Sequence, residues 1–179
     1  MNLSPGSPTL ATADLATPVG RVAVAASDAG VRAIRWCSAD ELAEPHDADG
    51  HAATVVRQLA EYFRNERRAF DVPLDWAGTT EAQRRVLRTL YERVPYGASV
   101  TYGELAALSG GDIPARAIGS IMGSNPIPIV VPCHRVLAHD GLGGYSGGTG
   151  DGREVKRWLL TLEGALPPTL DWSPAGLGS

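Results

Sequence analysis

The segment Ile127-Pro-Ile-Val-Val-Pro-Cys133-His134-Arg135-Val136 is the most informative stretch of this chain. Its run of β-branched apolar residues is typical of a buried strand, and it ends in a proline followed by a Cys-His pair. Such a strand would present a thiol at the floor of a pocket. A thiol is a good nucleophile only as a thiolate, which a neighbouring base or cation favours. A Cys-His dipeptide alone is equally compatible with an inert, packed cysteine.

Length and composition limit the classes of protein to consider. A chain of 179 residues fits one large domain or two small ones. No apolar run approaches the roughly 20 residues that a membrane span needs. Residues 1–13 lack the basic and apolar regions of a secretory signal, so we interpret them as a flexible tail of a cytoplasmic protein. With two cysteines, Cys37 and Cys133, the chain does not resemble an exported disulfide scaffold, and a reducing compartment would keep Cys133 free.

The charge distribution is uneven along the chain. The formal net charge is −4, which argues against indiscriminate coating of nucleic acid. Residues 1–80 hold seven Arg and no Lys against eleven Asp and Glu, whereas residues 81–179 hold nine basic and nine acidic residues. Because the acidic excess is confined to the first half, the second half is the better candidate for contact with a polyanion.

The first half has the pattern of a small α/β domain, which we place at residues 1–79. Residues 18–26 and 31–36 alternate like two strands of a hairpin. Residues 52–65 show helical spacing of apolar side chains. Residues 70–76 alternate like a strand, and the proline among them indicates a sheet edge. The expected fold class is therefore α+β, with this domain preceding a mostly helical one.

The second half, residues 80–179, is predicted to be mostly helical, with a loose tail from about residue 165. A helix spans residues 80–93. Thr101 and Glu104 match a capping box at the start of the next helix. After a glycine turn, residues 115–123 form a second short helix, and the pair indicates a helix-turn-helix. A helical hairpin used only for packing has the same pattern.

A glycine-rich loop and a closing helix follow the Cys-His pair. Glycines surround Tyr145-Ser146 between residues 137 and 150, and a backbone without Cβ atoms can lie close against a flat ligand. The loop lacks the Gly-Lys-Ser/Thr ending of a nucleotide P-loop. Val155, Trp158, Leu159 and Leu162 have the spacing of an amphipathic helix that ends at Glu163-Gly164.

Five motifs together carry a family resemblance: Val100–Ala106, Ala115–Gly119, Asn125–Val136, Gly143–Gly148, and Lys156 to Gly164 with Leu159-Leu160. In this order and at this spacing, they resemble the O6-alkylguanine-DNA alkyltransferases (methylated-DNA–protein-cysteine methyltransferases). The resemblance covers about residues 80–164. The first half is similar only as an α/β domain of the expected size and position.

The resemblance implies a set of chemical roles. Cys133 would accept the alkyl group from O6 of guanine by direct displacement. His134 would take the thiol proton through a water molecule, and Glu163 would hold the His ring. Asn125 would brace the turn near the site. Tyr102 would place its phenol at the guanine ring and help to protonate it as it leaves.

The resemblance also implies residues that recognise the base. The backbones of Val136 and Ser146 would read the edge of the base, and Tyr145 and Pro128 would wall the pocket. The damaged base is itself the alkyl donor, so the reaction implied requires no cofactor. Each molecule would act once, because the thioether formed at the cysteine is not readily reversed.

The implied partner is double-stranded DNA that contains O6-alkylguanine. A base inside a duplex hides O6 from a pocket, so the nucleotide must rotate out of the stack. By resemblance, Arg116 on the second helix of the helix-turn-helix would fill the vacated stack. The small residues Ala117 and Gly119 would allow that helix to approach the minor groove. A monomer is expected to suffice.

Some alternatives stay open. A non-catalytic module that binds alkylated bases is one, although its known relatives lack the cysteine. A thiol hydrolase using Cys133 and His134 is another, but it leaves the helix-turn-helix unexplained. Cys37, His46 and His51 lack the close spacing of a zinc site, so no metal is expected. The loop between Gly148 and Lys156 is longer than is usual in the family, and it could alter the preference among alkyl groups.

Overall fold

A computed structural model describes residues 10–38, 50–148 and 150–166. The N-terminal half forms an antiparallel sheet of three strands: β1 (Ala11–Thr17), β2 (Gly20–Ser27) and β3 (Gly30–Trp36). Helix α1 (His51–Phe63) packs against this sheet. Alternate residues of β2 are buried, so one face of the sheet meets the helix. These elements confirm the predicted α/β character of this half.

Two predictions for the N-terminal half need correction. Residues 11–13, predicted to belong to a tail, pair with β2 as the first part of β1; residues 1–9 lie outside the described residues. The strand expected over residues 70–76 is reduced to a single parallel bridge between Leu74 and Val31. The Pro73 carbonyl accepts from Val31 N–H at 2.9 Å, but Pro73 has no N–H with which to extend a ladder.

The C-terminal half is mostly helical, as predicted. Its helices are α2 (Glu81–Arg93), α3 (Tyr102–Leu108), α4 (Ala115–Gly123) and α5 (Gly152–Leu162). Two short strands, β4 (Val100–Thr101) and β5 (Val136–Leu137), pair in parallel. Helices α3 and α4 contact each other across a glycine-containing turn and form the helix-turn-helix.

The predicted capping box opens α3. The Thr101 hydroxyl accepts from Glu104 N–H at 3.2 Å, and Thr101 N–H donates to the Glu104 carboxylate at 2.6 Å. Thr80 and Gln83 form a second capping box at the start of α2. Both boxes satisfy backbone groups that would otherwise lack partners, and they fix where these helices begin.

The apolar run before Cys133 is buried, but it is not a strand. Ile127, Ile129, Val130 and Val131 are at most 2% exposed, yet they form turns with one isolated bridge between Pro128 and Val131. The strand prediction was wrong because prolines at 126, 128 and 132 remove the N–H groups that a ladder needs. Ile129 has φ of 74°, a costly conformation for a β-branched residue, four positions before the cysteine.

One hydrophobic core extends through both halves of the chain. Ile34 N–H in β3 donates to the Pro126 carbonyl at 2.9 Å, so the sheet is bonded to the segment that leads to Cys133. Within the ranges that the structure describes, no helix combines the length and apolar character that crossing a bilayer requires.

Candidate active site

Cys133 lies at the start of a 3-10 turn, Cys133–Arg135, and is 5% exposed. Asn125 stabilises the approach to this turn. Its amide donates to the Val131 carbonyl at 2.8 Å, and its oxygen accepts from Ile127 N–H at 3.0 Å. Cys133 N–H donates to the same Val131 carbonyl at 2.8 Å. These hydrogen bonds thus fix the backbone conformation that positions the thiol.

The surroundings of Cys133 have opposing effects on its ionisation. Burial raises the pKa of the thiol, because it disfavours the thiolate. The Asn125 side chain and the positive charge of Lys156 lower this pKa, but burial prevails. The resting thiol is therefore protonated at neutral pH and needs a base before it can act as a nucleophile.

His134 is fully buried next to the thiol-bearing residue, and its Nε2 lies 2.7 Å from Glu163 Oε1. Burial lowers the pKa of His134, so the imidazole is neutral near pH 7, although Glu163 acts in the opposite direction. Since the carboxylate accepts, the bond assigns the ring proton to Nε2. Nδ1 then carries the lone pair, and this buried atom has no hydrogen-bond partner among the described residues.

Glu163, which follows α5, receives several donors. Arg135 Nε donates to its Oε2 at 2.8 Å and Arg135 Nη2 to its Oε1 at 2.9 Å. Tyr62 of α1 donates its hydroxyl to Oε1 at 2.7 Å. Burial alone would raise the pKa of Glu163, but the bonds and charges of His134 and Arg135 lower it to about 2. The carboxylate is therefore ionised across the physiological range.

Lys156 is buried in the middle of α5 and binds two carbonyls. Its Nζ donates to the Val136 carbonyl at 2.6 Å and to the Gly144 carbonyl at 3.0 Å. It thus ties the strand after the Cys-His pair to the glycine-rich loop. Burial lowers its pKa to about 8, a value that leaves most of the ammonium charged at pH 7.

A cavity of about 230 Å³ opens directly on Cys133. Tyr102 from the start of α3 forms one wall, α4 forms another, and the loop from Gly144 to Ser146 forms a third. Burial raises the pKa of the Tyr102 phenol, and so does the nearby Cys133. The phenol is therefore protonated at neutral pH and able to donate a hydrogen bond into the cavity.

Helix α4 belongs both to the cavity and to the outer surface. Gly119, Met122 and Gly123 line the cavity, whereas Arg116 is exposed near the start of the helix. Arg116 and Gly119 are three residues apart, so they lie on neighbouring positions of one helix face. Ala117 is half-buried beside them.

Two family models match the chain. Residues 12–76 match the ribonuclease-like domain of 6-O-methylguanine DNA methyltransferase, and residues 81–165 match its DNA-binding domain. A methylated-DNA–protein-cysteine methyltransferase of Mycolicibacterium paratuberculosis is 40% identical over 82% of this chain and 88% of the relative. The chain belongs to the 6-O-methylguanine DNA methyltransferase family.

Solved structures of this methyltransferase family share the fold. The Mycobacterium tuberculosis O6-methylguanine methyltransferase is 34% identical and aligns with a TM-score of 0.73, over 89% of this chain and 96% of that one. The same protein in complex with DNA is 37% identical, with a TM-score of 0.72, over 86% of this chain and 92% of that one.

Most of the residues that the family resemblance implies lie around one thiol. Cys133, Tyr102, Tyr145, Ser146 and Gly119 line the cavity described above. Asn125 and Pro128 line a second cavity on Cys133. His134, which follows Cys133 in the chain, and Glu163 are buried and bonded to each other. Arg116 lies apart, on the exposed start of α4.

Val136 and the candidate metal ligands do not belong to this group. Val136, whose backbone was expected to read the base edge, is buried in β5, and its carbonyl accepts from Lys156. His46 lies outside the described residues. Across residues 10–38, 50–148 and 150–166, no group of three His, Cys, Asp or Glu side chains could hold a metal ion.

Sequence reasoning assigned no role to several residues that contact this site. In the sequence, Lys156 was considered only as part of a family motif. A single lysine within the apolar face of a helix could have indicated a buried, functional charge. Arg135 follows the Cys-His pair, but nothing in the sequence pairs it with Glu163. Tyr62 and Trp36 come from the N-terminal half, and only the three-dimensional packing brings Tyr62 to Glu163 and Trp36 to a cavity on Cys133.

Proposed function

We propose that this protein repairs DNA by transferring an alkyl group from O6 of guanine to Cys133. The observation that carries the proposal is a buried cysteine at the floor of a cavity, beside a His-Glu pair, with the second helix of the helix-turn-helix as one wall. A nucleophile, a base and a group that orients the base form the arrangement that activates a weak nucleophile. All these groups come from one chain, so a monomer suffices.

The proposed reaction begins with proton transfer. His134 Nδ1 takes the thiol proton of Cys133 through one water molecule, while Glu163 holds Nε2–H and stabilises the positive charge that forms on the ring. Such a base contributes about 10²- to 10⁴-fold to a rate. The charge of Lys156 also favours the thiolate, which offsets part of the effect of burial on the Cys133 pKa.

Displacement follows in one step. The Cys133 sulfur forms a bond to the alkyl carbon as the bond from that carbon to O6 breaks. The electron pair of the broken bond goes to the guanine, which Tyr102 protonates as it leaves. Proton return from His134 to the Tyr102 phenolate balances the reaction, so thiol and O6-alkylguanine become thioether and guanine. Because the thioether is stable, each molecule acts once.

The burial of Cys133 requires an extrahelical base. A thiol that is 5% exposed cannot reach O6 inside a stacked duplex, so the nucleotide must flip out. Arg116 is exposed on the helix that forms one cavity wall, which suits it to enter the gap that the base leaves. Gly119 and Ala117 allow the helix to lie close to the minor groove.

The test is a mass measurement on protein incubated with a duplex that carries one O6-methylguanine. The expected result is a single added methyl group on the peptide that contains Cys133, with a yield that stops at one equivalent. Cys133→Ala should keep its affinity for DNA and lose transfer. An unmodified Cys133, or turnover beyond one equivalent, would overturn the proposal.

A further inference from the structure

One oxygen of the Glu163 carboxylate serves three donors. Tyr62 of α1 donates to Oε1 at 2.7 Å, His134 Nε2 lies 2.7 Å from the same atom, and Arg135 Nη2 donates to it at 2.9 Å. Arg135 Nε also donates to Oε2, at 2.8 Å. The side chains of Glu163 and His134 are fully buried, and that of Arg135 is 8% exposed. His134 and Arg135 thus share one carboxylate that solvent does not reach.

The charge of this carboxylate must be balanced inside the protein. A buried charge without a counterion is costly in a medium of low dielectric constant. Glu163 has two candidate counterions, the Arg135 guanidinium and a doubly protonated His134. A guanidinium cannot be deprotonated in a protein, and its two parallel N–H groups match the geometry of a carboxylate. Arg135 therefore neutralises Glu163, and a second proton on His134 would give the cluster a net positive charge.

Three neutral groups lie around this ion pair. Tyr62 comes from α1, Cys133 precedes His134 in the 3-10 turn, and the ring centroid of Tyr96 lies 6.0 Å from the Arg135 guanidinium. Burial raises the pKa of all three groups, so none of them carries a charge at pH 7. The balance of charge is therefore set by the ionic groups.

Lys156 of α5 adds a second cation near His134. Burial is the largest cause that lowers the pKa of His134, and Arg135 and Lys156 act in the same direction. Glu163 acts against them. Lys156 binds two backbone carbonyls, whereas Arg135 binds the carboxylate itself. Arg135 is thus the cation that competes directly with a protonated His134 for Glu163.

We propose that Arg135 keeps His134 available as a base by neutralising Glu163. The inference rests on the alkyl transfer proposed above, and Arg135 acts on it as a positioning residue, through Glu163. Without the guanidinium, the buried carboxylate draws a second proton onto His134. The resulting imidazolium has no lone pair at Nδ1 and cannot take the thiol proton of Cys133. Nucleophile, base and the counterion that frees the base are then three consecutive residues of one turn.

The first test reads the protonation of His134 without any substrate. In protein labelled with 15N-histidine, the two ring nitrogens of a neutral imidazole differ strongly in chemical shift, whereas those of an imidazolium are similar. The chain has four histidines, so His134→Gln identifies the signals of His134. At pH 7 we expect a neutral ring in the unaltered protein and in Arg135→Lys, which keeps the charge. Arg135→Met, which removes the charge, should show an imidazolium.

Further variants separate charge from packing. Arg135→Met combined with Glu163→Gln removes both charges, so the ring should be neutral again. Arg67→Met removes a guanidinium that pairs with Glu61 near the surface, and it should leave the His134 signals unaltered. Arg135→Gln, whose amide can still donate to the carboxylate, gives the same comparison if Arg135→Met does not fold. A ring that stays neutral in Arg135→Met or Arg135→Gln, or that is protonated in Arg135→Lys, overturns the proposal.

The second test is single-turnover transfer from free O6-benzylguanine between pH 6 and pH 7.5. This range stays below the pKa of Lys156, which is about 8. Arg135→Met should slow transfer by about tenfold or more at pH 6, and by less as the pH rises and His134 loses its second proton. Equal slowing at every pH would indicate a purely structural role and overturn the proposal. If the spectra are as expected but Cys133 of the unaltered protein gains no benzyl group, the alkyl transfer is overturned and the charge assignment stands.

Discussion

The two halves of this chain contribute to the same thiol in different ways. The C-terminal half supplies the proposed nucleophile and base as adjacent residues, Cys133 and His134, in one contiguous motif. The N-terminal half supplies Tyr62 to the carboxylate that holds the base, and Trp36 to a cavity that borders the nucleophile. These two residues are 26 positions apart and belong to a helix and a strand.

The two halves thus differ in role: one carries the residues proposed to react, and the other carries residues that support them. Residues that react must have a particular chemical type and close spacing, so they can be recognised as a motif in the sequence. Residues that support them need only reach the right place, and many folds of the chain could bring them there. If this distinction is correct, variants of the C-terminal cluster should lower the transfer rate most, and variants of the N-terminal contacts should mainly change stability.

The largest effect is expected from Glu163→Gln. This change leaves Arg135 buried without its counterion and weakens the hold on His134, so transfer should fall by about 10²-fold or more. Breaking a buried pair should also lower the free energy of unfolding by ~3–5 kcal/mol. Single-turnover kinetics and urea unfolding at pH 7 measure the two effects.

The pH dependence of stability provides a second test of Glu163→Gln, because the direction of the change with pH can be predicted. The pKa of Glu163 is lowered from 4.5 to about 2, so its stabilising contribution is complete above pH 4.5 and is lost as the pH falls towards 2. Glu163→Gln should remove this part of the acid destabilisation. Glu61→Gln is the matched control, because Glu61 pairs with two arginines at the surface, where ion pairs contribute little to stability. Equal losses for the two variants would contradict the special place of Glu163.

A smaller effect is expected from Arg116→Ala, and only with duplex substrate. If Arg116 fills the gap left by a flipped nucleotide, its loss should slow transfer from duplex DNA by about tenfold or more, since unstacking a step costs a few kcal/mol. Transfer from free O6-benzylguanine base should stay the same, because no base must be flipped. Parallel rate measurements on the two substrates check this.

Arg84→Ala controls for the loss of positive charge. Arg84 is exposed on α2, where it does not line the cavity on Cys133. A uniform electrostatic role for arginines would slow duplex repair equally in both variants. A selective role requires that Arg84→Ala stay close to the unaltered protein and that the Arg116 effect persist at higher salt.

How far the sequence predicted this structure depended on the range of the interactions. Local signals were sufficient for α2, for the capping box at Thr101 and for the helix-turn-helix, because each depends on residues a few positions apart. The strand expected before Cys133 was wrong, since its prolines remove ladder donors despite the β-branched pattern. Position 163 was implied as the partner of His134 only through family resemblance, and no local pattern could have indicated Tyr62 as a third member.

The smallest effect on the transfer rate is expected from Tyr62→Phe, which tests the N-terminal contact to Glu163 directly. The change keeps the buried ring, which packs against Phe63, Phe70 and Tyr96, and removes only the hydroxyl bound to Oε1. A hydrogen bond to a charged group contributes ~1.5–3 kcal/mol, so the free energy of unfolding should fall by about that amount. The transfer rate should change by less than Glu163→Gln changes it, because Arg135 still holds the carboxylate.

Tyr91→Phe provides the control, since its hydroxyl donates to the neutral Phe70 carbonyl at 3.0 Å and is only half-buried. Its loss should cost ~0.5–1.5 kcal/mol, the range for neutral partners. If urea unfolding gave equal losses for the two variants, Tyr62 would be an ordinary buried tyrosine and the N-terminal half would not stabilise the Glu163 carboxylate. If the excess cost of Tyr62→Phe over Tyr91→Phe persisted below pH 4.5 and diminished only as the pH approached 2, where the folded carboxylate takes up a proton, the contact would be one to the charged carboxylate. The pH dependence therefore tests the bond between the two halves independently of packing.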